Sequence, residues 1–159
     1  MTIHWFSLVM ALLLKTSMRN LILKESKKIF TNPSVKLNAQ TGKCDIIGES
    51  FIENASEFYQ PVFDWLNAYT EKIKGEMVWS FRMEYFNSSS AKVITNLLKT
   101  LKRYEQNGGK VTVNWYYPSY NMALLEDGEC LSDVSRLKFN FVLYQASPPP
   151  RRTKVQIKK

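Results

Sequence analysis

The sequence predicts an α/β domain: a small mixed sheet of five to six strands with helices mainly on one face. Three observations carry this. Met77 to Phe86 alternates, with Met77, Trp79, Phe81, Met83 and Tyr85 on one side and Ser80, Arg82 and Glu84 on the other, the period of a half-buried strand. Directly after Asn87-Ser88-Ser89-Ser90, the residues Ile94, Leu97, Leu98 and Leu101 fall at i, i+3, i+4 and i+7, an amphipathic helix. Val111, Val113, Trp115 and Tyr117 then alternate with Thr112, Asn114 and Tyr116. Strand, helix, strand makes a βαβ unit, so the two strands run parallel with a right-handed crossover. Because the strands alternate and are not continuously apolar, one sheet face is left partly wet.

The remaining elements follow in order. Leu21–Lys24 reads as a short first strand. Asn32-Pro33 marks a turn. Ser34–Asn38 alternates, Thr41-Gly42 has turn chemistry, and Cys44–Ile47 returns, giving a hairpin. Ser56 to Ile73 reads as the first helix, on the spacing of Val62, Leu66, Tyr69 and Ile73, with Phe58, Phe63 and Trp65 widening the stripe. Pro61 lies beyond the first turn, where proline removes a backbone bond, so the regular helix is expected to begin nearer Tyr59. Gly75 ends that helix, and Lys72 and Lys74 suit its dipole. Asn107-Gly108-Gly109 stops the central helix. Pro118 to Leu131 reads as a connection holding a short acidic helix, and Leu137, Phe139, Phe141 and Leu143 form a last strand.

The chain has 159 residues and a net charge of +8. Arg151, Arg152, Lys154, Lys158 and Lys159 lie in the last fifteen residues with no acid, and Lys15 adds one more, leaving Met18–Tyr144 near neutral at +2. A body so balanced gives little support to a nucleic-acid reading, for which the partner phosphates would need a basic surface. Residues 145–159, with Pro148-Pro149-Pro150, read as a basic tail. Cys44 and Cys130 are too few and too far apart for a disulfide framework or zinc site, and read as buried or half-buried free thiols of a reducing, cytoplasmic compartment. One histidine, His4, excludes histidine-based triads and two-histidine metal sites. The apolar run Trp5–Leu14 is too short to span a bilayer, which takes about 20 residues. It lacks upstream positive charge, and Thr16-Ser17-Met18 is a poor cleavage site. Residues 1–17 are therefore expected to be an extension before a true start at Met18, with secretion the competing reading.

Chemistry concentrates in Glu84-Tyr85-Phe86-Asn87-Ser88-Ser89-Ser90-Ala91-Lys92, where a strand hands over to a helix. Ligand and recognition sites of open α/β sheets lie at that end of the strands, and a helix N-terminus favours an anion. A phosphate on one of these hydroxyls would add about −1.5 to −2 charges to the surface. Ordinary N-capping also accounts for an asparagine or serine here, and each cap contributes about 1 kcal/mol.

The segment Tyr85–Lys92, with Val113-Asn114-Trp115-Tyr116-Tyr117, resembles the SiaC family of bacterial regulatory phosphoproteins. So do Ile52-Glu53-Asn54, Phe58 to Leu66 and Leu125-Glu126-Asp127-Gly128-Glu129, and the likeness runs from about Leu21 to Val142. The resemblance implies a SpoIIAA/STAS-like fold over residues 21–143. It implies partner switching: a Ser/Thr protein kinase modifies the domain, a metal-dependent Ser/Thr phosphatase restores it, and the unmodified form engages a downstream target such as a diguanylate cyclase. The family's acceptor is the hydroxyl residue after the asparagine, usually threonine, which here is Ser88. Asn87, Ser89 and Ser90 would support the switch loop, and Lys92, Glu126, Asp127 and Glu129 are possible partner contacts. Cys130-Leu131-Ser132 departs from the more acidic pattern of relatives. No cofactor, metal site, catalytic residue, nucleic acid or membrane is expected. The rival readings are a small nucleic-acid-binding adaptor using the tail and, behind it, a small enzyme using the acidic loop or serine cluster.

Overall fold

The computed structural model describes residues 8–10, 13, 17–27 and 31–148. The strands of the main sheet are β1 (Leu21–Leu23), β4 (Ser34–Leu37), β5 (Lys43–Ser50), β6 (Met77–Phe86), β7 (Val111–Pro118) and β8 (Phe139–Tyr144). Their order is β1-β4-β5-β6-β7-β8. The first three strands pair antiparallel, as the hairpin signal predicts; β5 to β8 are parallel neighbours. A small ladder of β2 (Ser26–Lys27) and β3 (Thr31–Asn32) precedes the hairpin, so Asn32 ends a strand and the side-chain amide donates to the Lys24 carbonyl at 2.8 Å.

The helices are α1 (Ala55–Ala68), α2 (Ser88–Gln106) and α3 (Ala123–Ser135). Each lies between two adjacent parallel strands, and the strand order advances in one direction. Successive right-handed crossovers that step the same way must put their helices on the same face. That face holds the core: Ile46, Trp79, Phe81, Val113, Trp115 and Phe139 of the sheet meet Leu66, Ile94, Leu97, Leu98 and Leu101 of the helices. The aromatic side chains form a row across the strands, with centroid separations of 5.8 Å for Phe81–Trp115 and 6.1 Å for Trp115–Phe139. Trp79 and Trp115 are each fully buried, gross burial of about 4–6 kcal/mol apiece. On the opposite face, the Arg82 guanidinium sits over Tyr116 at 4.8 Å and Tyr144 at 5.1 Å.

Four local expectations are corrected. The first helix begins at Ala55, ahead of the expected Tyr59, because Asn54 caps it by accepting from the Glu57 N–H at 3.4 Å, and Pro61 is carried inside the helix. Its last turn, Tyr69–Ile73, is a π-turn closed by left-handed Lys74, one residue ahead of the expected Gly75. Tyr85 does not share the face of Met83. The β5–β6 register shifts between Gly48 and Glu49, so Glu84 has no opposite residue, Tyr85 faces Glu49 and is half exposed, and Phe86 takes the inward position against Trp115. Such a bulge reverses the alternation beyond it, and Gly48 meets it with φ +110, a conformation other residues adopt only with strain. Cys44 is buried, which raises its thiol pKa, but Cys130 is exposed.

Met18 packs against the core, and the Arg19 carbonyl accepts from the Trp65 indole at 3.0 Å. Most of the expected 1–17 extension, and the basic tail beyond Ser147-Pro148, lie outside the described residues.

Candidate functional site

Because α2 follows the bulged β6, its first turn stands at the carboxyl end of a central strand. Asn87 fixes that junction with three hydrogen bonds. Its backbone N–H donates to the Ser50 carbonyl at 3.1 Å, its side-chain amide donates to the Ile52 carbonyl at 2.9 Å, and its Oδ1 accepts from the Ser90 N–H at 2.9 Å. The same side chain therefore caps α2 and ties it to the segment after β5. A shallow hollow of about 330 Å³, lined by Ile52, Glu53, Asn54, Glu57 and Phe58, adjoins this segment.

The three serines that follow occupy three environments. Ser90 is fully buried; its hydroxyl donates to the Ser50 carbonyl at 2.9 Å and accepts from the Ser50 hydroxyl at 2.8 Å. Ser50 Oγ also lies 3.0 Å from the Tyr59 hydroxyl. Burial pushes the Tyr59 pKa up to about 12 despite the opposing hydrogen bond from Ser50. Half-buried Ser89 donates to the Glu53 carbonyl at 3.2 Å. Ser88, the first helical residue, is exposed, and none of the described residues hydrogen-bonds to its hydroxyl. Helical geometry leaves the first-turn N–H groups without intrahelical partners, so the space around Ser88 carries positive potential.

Asn87, Ser89 and Ser90 are thus joined in one hydrogen-bonded junction. Lys92 is exposed one turn past Ser88, a spacing that puts both on one helix side. Glu126, Asp127 and Glu129 are exposed on α3, which follows β7 and so starts at the same end of the sheet. Partial burial, and then the Glu126 charge, raise the Asp127 carboxyl above its ordinary range. Among the described residues no side-chain hydrogen bond or ion pair ties these four to the Ser88 loop. Between Glu126 and Glu129, Gly128 lets α3 sit on Trp115; a Cβ there would come within 2.5 Å of the indole, whose N–H donates to the Leu124 carbonyl at 2.6 Å.

Sequence reasoning missed Ser50 and Tyr59, which form the floor of the junction. The expected strand stops at Ile47, whereas β5 continues to Ser50, so nothing in the sequence marked Ser50. No group of three or more His, Cys, Asp or Glu among the described residues could hold a metal ion. No helix among them is long and apolar enough to cross a membrane.

A six-stranded mixed sheet with three same-side helices and a solvent-facing serine on a capped helix start defines a STAS-like α/β domain. The sequence profile described as SiaC family regulatory phosphoprotein matches residues 24–144. The chain belongs to the SiaC family of regulatory phosphoproteins. An uncharacterised protein of Pseudomonas aeruginosa strain UCBPP-PA14 is 27% identical over 99 residues, 62% of this chain and 79% of that one. Apo-SiaC from Pseudomonas aeruginosa has a similar structure, with a TM-score of 0.71 and 26% identity, covering 81% of this chain and 100% of that one. SiaC in its complex with the diguanylate cyclase SiaD, which it activates, shares the fold at a TM-score of 0.67 and 23% identity, covering 78% of this chain and 100% of that one.

Proposed function

We propose that the chain is a cytoplasmic, non-enzymatic binding regulator switched by phosphorylation of Ser88. A Ser/Thr protein kinase transfers the terminal phosphoryl group of ATP to Ser88 Oγ, which loses its proton, and ADP leaves. A metal-dependent Ser/Thr phosphatase hydrolyses the ester, releasing inorganic phosphate. The unmodified form engages a downstream target, and a diguanylate cyclase is the class suggested by the SiaD complex of the relative. Lys92, Glu126, Asp127 and Glu129 flank the docking face at the same end of the sheet.

One observation carries the choice of Ser88. Of the three consecutive hydroxyls it alone is exposed and unbonded, while Ser89 and Ser90 are tied to Glu53 and Ser50. A kinase needs a reachable oxygen, and a phosphate at this helix start changes charge and bulk with no refolding.

The test compares binding of a candidate diguanylate cyclase to wild type, Ser88→Ala and Ser88→Asp, alongside intact mass of protein from native cells. Retained binding by Ser88→Ala, lost binding by Ser88→Asp and an added phosphate at Ser88 are expected. Equal binding by both variants would remove the reading.

A further inference from the structure

The three helices run parallel to one another, so their carboxyl ends gather at the end of the sheet opposite Ser88. There, an open groove of about 700 Å³ lies between α1, α2 and the end of α3. Phe63 and Val134 supply its apolar lining, and Lys99, Arg103 and Arg136 its charge, with no carboxylate among the lining residues. A second hollow of about 640 Å³ shares Asn67, Thr100 and Arg103 with it and extends it toward Lys74; Glu71 is the one carboxylate on its lining. Lys102 is paired with Glu105. Lys74, Lys99, Arg103 and Arg136 have no ion-pair partner among the described residues.

Helix dipoles account for part of this. Cations in a last turn are favourable by about 0.3–1 kcal/mol each, which covers Arg103. Lys99 lies seven residues before the end of α2, too far in for that explanation. Lys74 (φ 53) and Arg136 (φ 60) are the described non-glycine residues with left-handed backbone. Each closes a helix at a position where glycine is the unstrained choice, and both line this groove system. Strained positions that keep a large functional side chain are more often found at binding sites than elsewhere.

We propose that this groove is a second interaction surface, which receives an acidic peptide segment of a partner protein carrying at least one apolar side chain. The unpaired cations complement its carboxylates, and Phe63 on the α1 side and Val134 on the α3 side offer the apolar residue its contacts. The connected hollows, running from Lys74 to Arg136, suit an extended segment better than a compact anion. This surface is independent of Ser88 and lies at the other end of the molecule.

Fluorescence polarisation with the full chain and a fluorescein-labelled Glu-Leu-Glu-Glu repeat peptide tests this. Saturable binding to wild type is expected. The double reversal Lys99→Glu with Arg136→Glu should weaken it by about tenfold or more, an equilibrium shift of about 1.4 kcal/mol. Reversing exposed Lys36 and Lys43 on the strands changes net charge equally and should alter binding by less than about twofold. Equal weakening by both pairs, or no saturable binding, overturns the proposal. So does undiminished binding of a Glu-Ser-Glu-Glu peptide, which would mean a simple anion site. Arg136→Gly separates binding from capping. Relief of the left-handed backbone should raise Tm by about 2–4 °C while peptide affinity falls. A higher Tm with unchanged affinity would make Arg136 a helix cap only and defeat the assignment.

Discussion

Ser50 and Ser90 exchange two hydrogen bonds across the junction of β5 and α2: hydroxyl to hydroxyl at 2.8 Å, and the Ser90 hydroxyl back to the Ser50 carbonyl at 2.9 Å. Ser90→Ala would take away the acceptor of the buried Ser50 hydroxyl and leave the Ser50 carbonyl with the Asn87 N–H alone. A destabilisation of about 1–3 kcal/mol is expected, whereas Ser88→Ala should change stability by less than about 0.5 kcal/mol. Urea unfolding of both variants, two residues apart, checks the division of labour.

Asn87 is both cap and anchor. Asn87→Ala loses both and should cost about 1–2 kcal/mol. Asn87→Asp keeps an acceptor for the Ser90 N–H but sets a carboxylate oxygen against the Ile52 carbonyl, so it should also fall below wild type in thermal denaturation.

Phosphate on Ser88 meets the helix N-terminus and, one turn along, Lys92. Phosphorylated protein should be as stable as the unmodified form or more stable by up to about 1 kcal/mol. Lys92→Ala should reduce that gain, seen as a smaller difference in Tm between the two forms. A large loss of stability on phosphorylation would instead mean that the loop refolds.

Gly128→Ala drives a methyl group into the Trp115 indole. Overpacking of this kind costs about 1–3 kcal/mol, and calorimetry should place the variant well below wild type. The change also pushes away the carbonyl that accepts the indole N–H, so tryptophan fluorescence should shift.

Alkali supplies a fifth test. Tyr59 ionises near 10 when unfolded but near 12 in the fold. The native state therefore holds its proton where the unfolded chain has released it. Stability is fully present below pH 10 and falls as pH rises from 10 toward 12, by roughly 2–3 kcal/mol for this group. In Tyr59→Phe the slope in that window should be shallower, read by urea midpoints at several pH values.

Much of this molecule was legible in its residues. Met77–Phe86 was delimited correctly because the alternation from Met77 to Met83 leads into a capped helix close behind it. The α2 face followed from Ile94, Leu97, Leu98 and Leu101. What escaped was whatever depends on the neighbouring strand. Nothing within Glu84-Tyr85-Phe86 announces a bulge, since it arises from pairing with Gly48 and Glu49. Ser88, Ser89 and Ser90 look alike as letters, and only the carbonyls of Ser50 and Glu53, some 36 to 40 positions earlier, distinguish them. Pro61 misled for a related reason: the Asn54 cap and the burial of Tyr59 and Val62 outweigh one missing backbone bond.

The unmatched Glu84 sets the phase of everything after it. Flatten that bulge with the residue kept, and the pleat would turn Tyr85 toward the tryptophans and Phe86 toward water. The start of α2 would then stand one position out of step with Ser50, and its serines would no longer meet the Ser50 and Glu53 carbonyls as they do. A single unmatched amino acid in the middle of a sheet thus works as an index mark, deciding which of three identical side chains is left facing solvent.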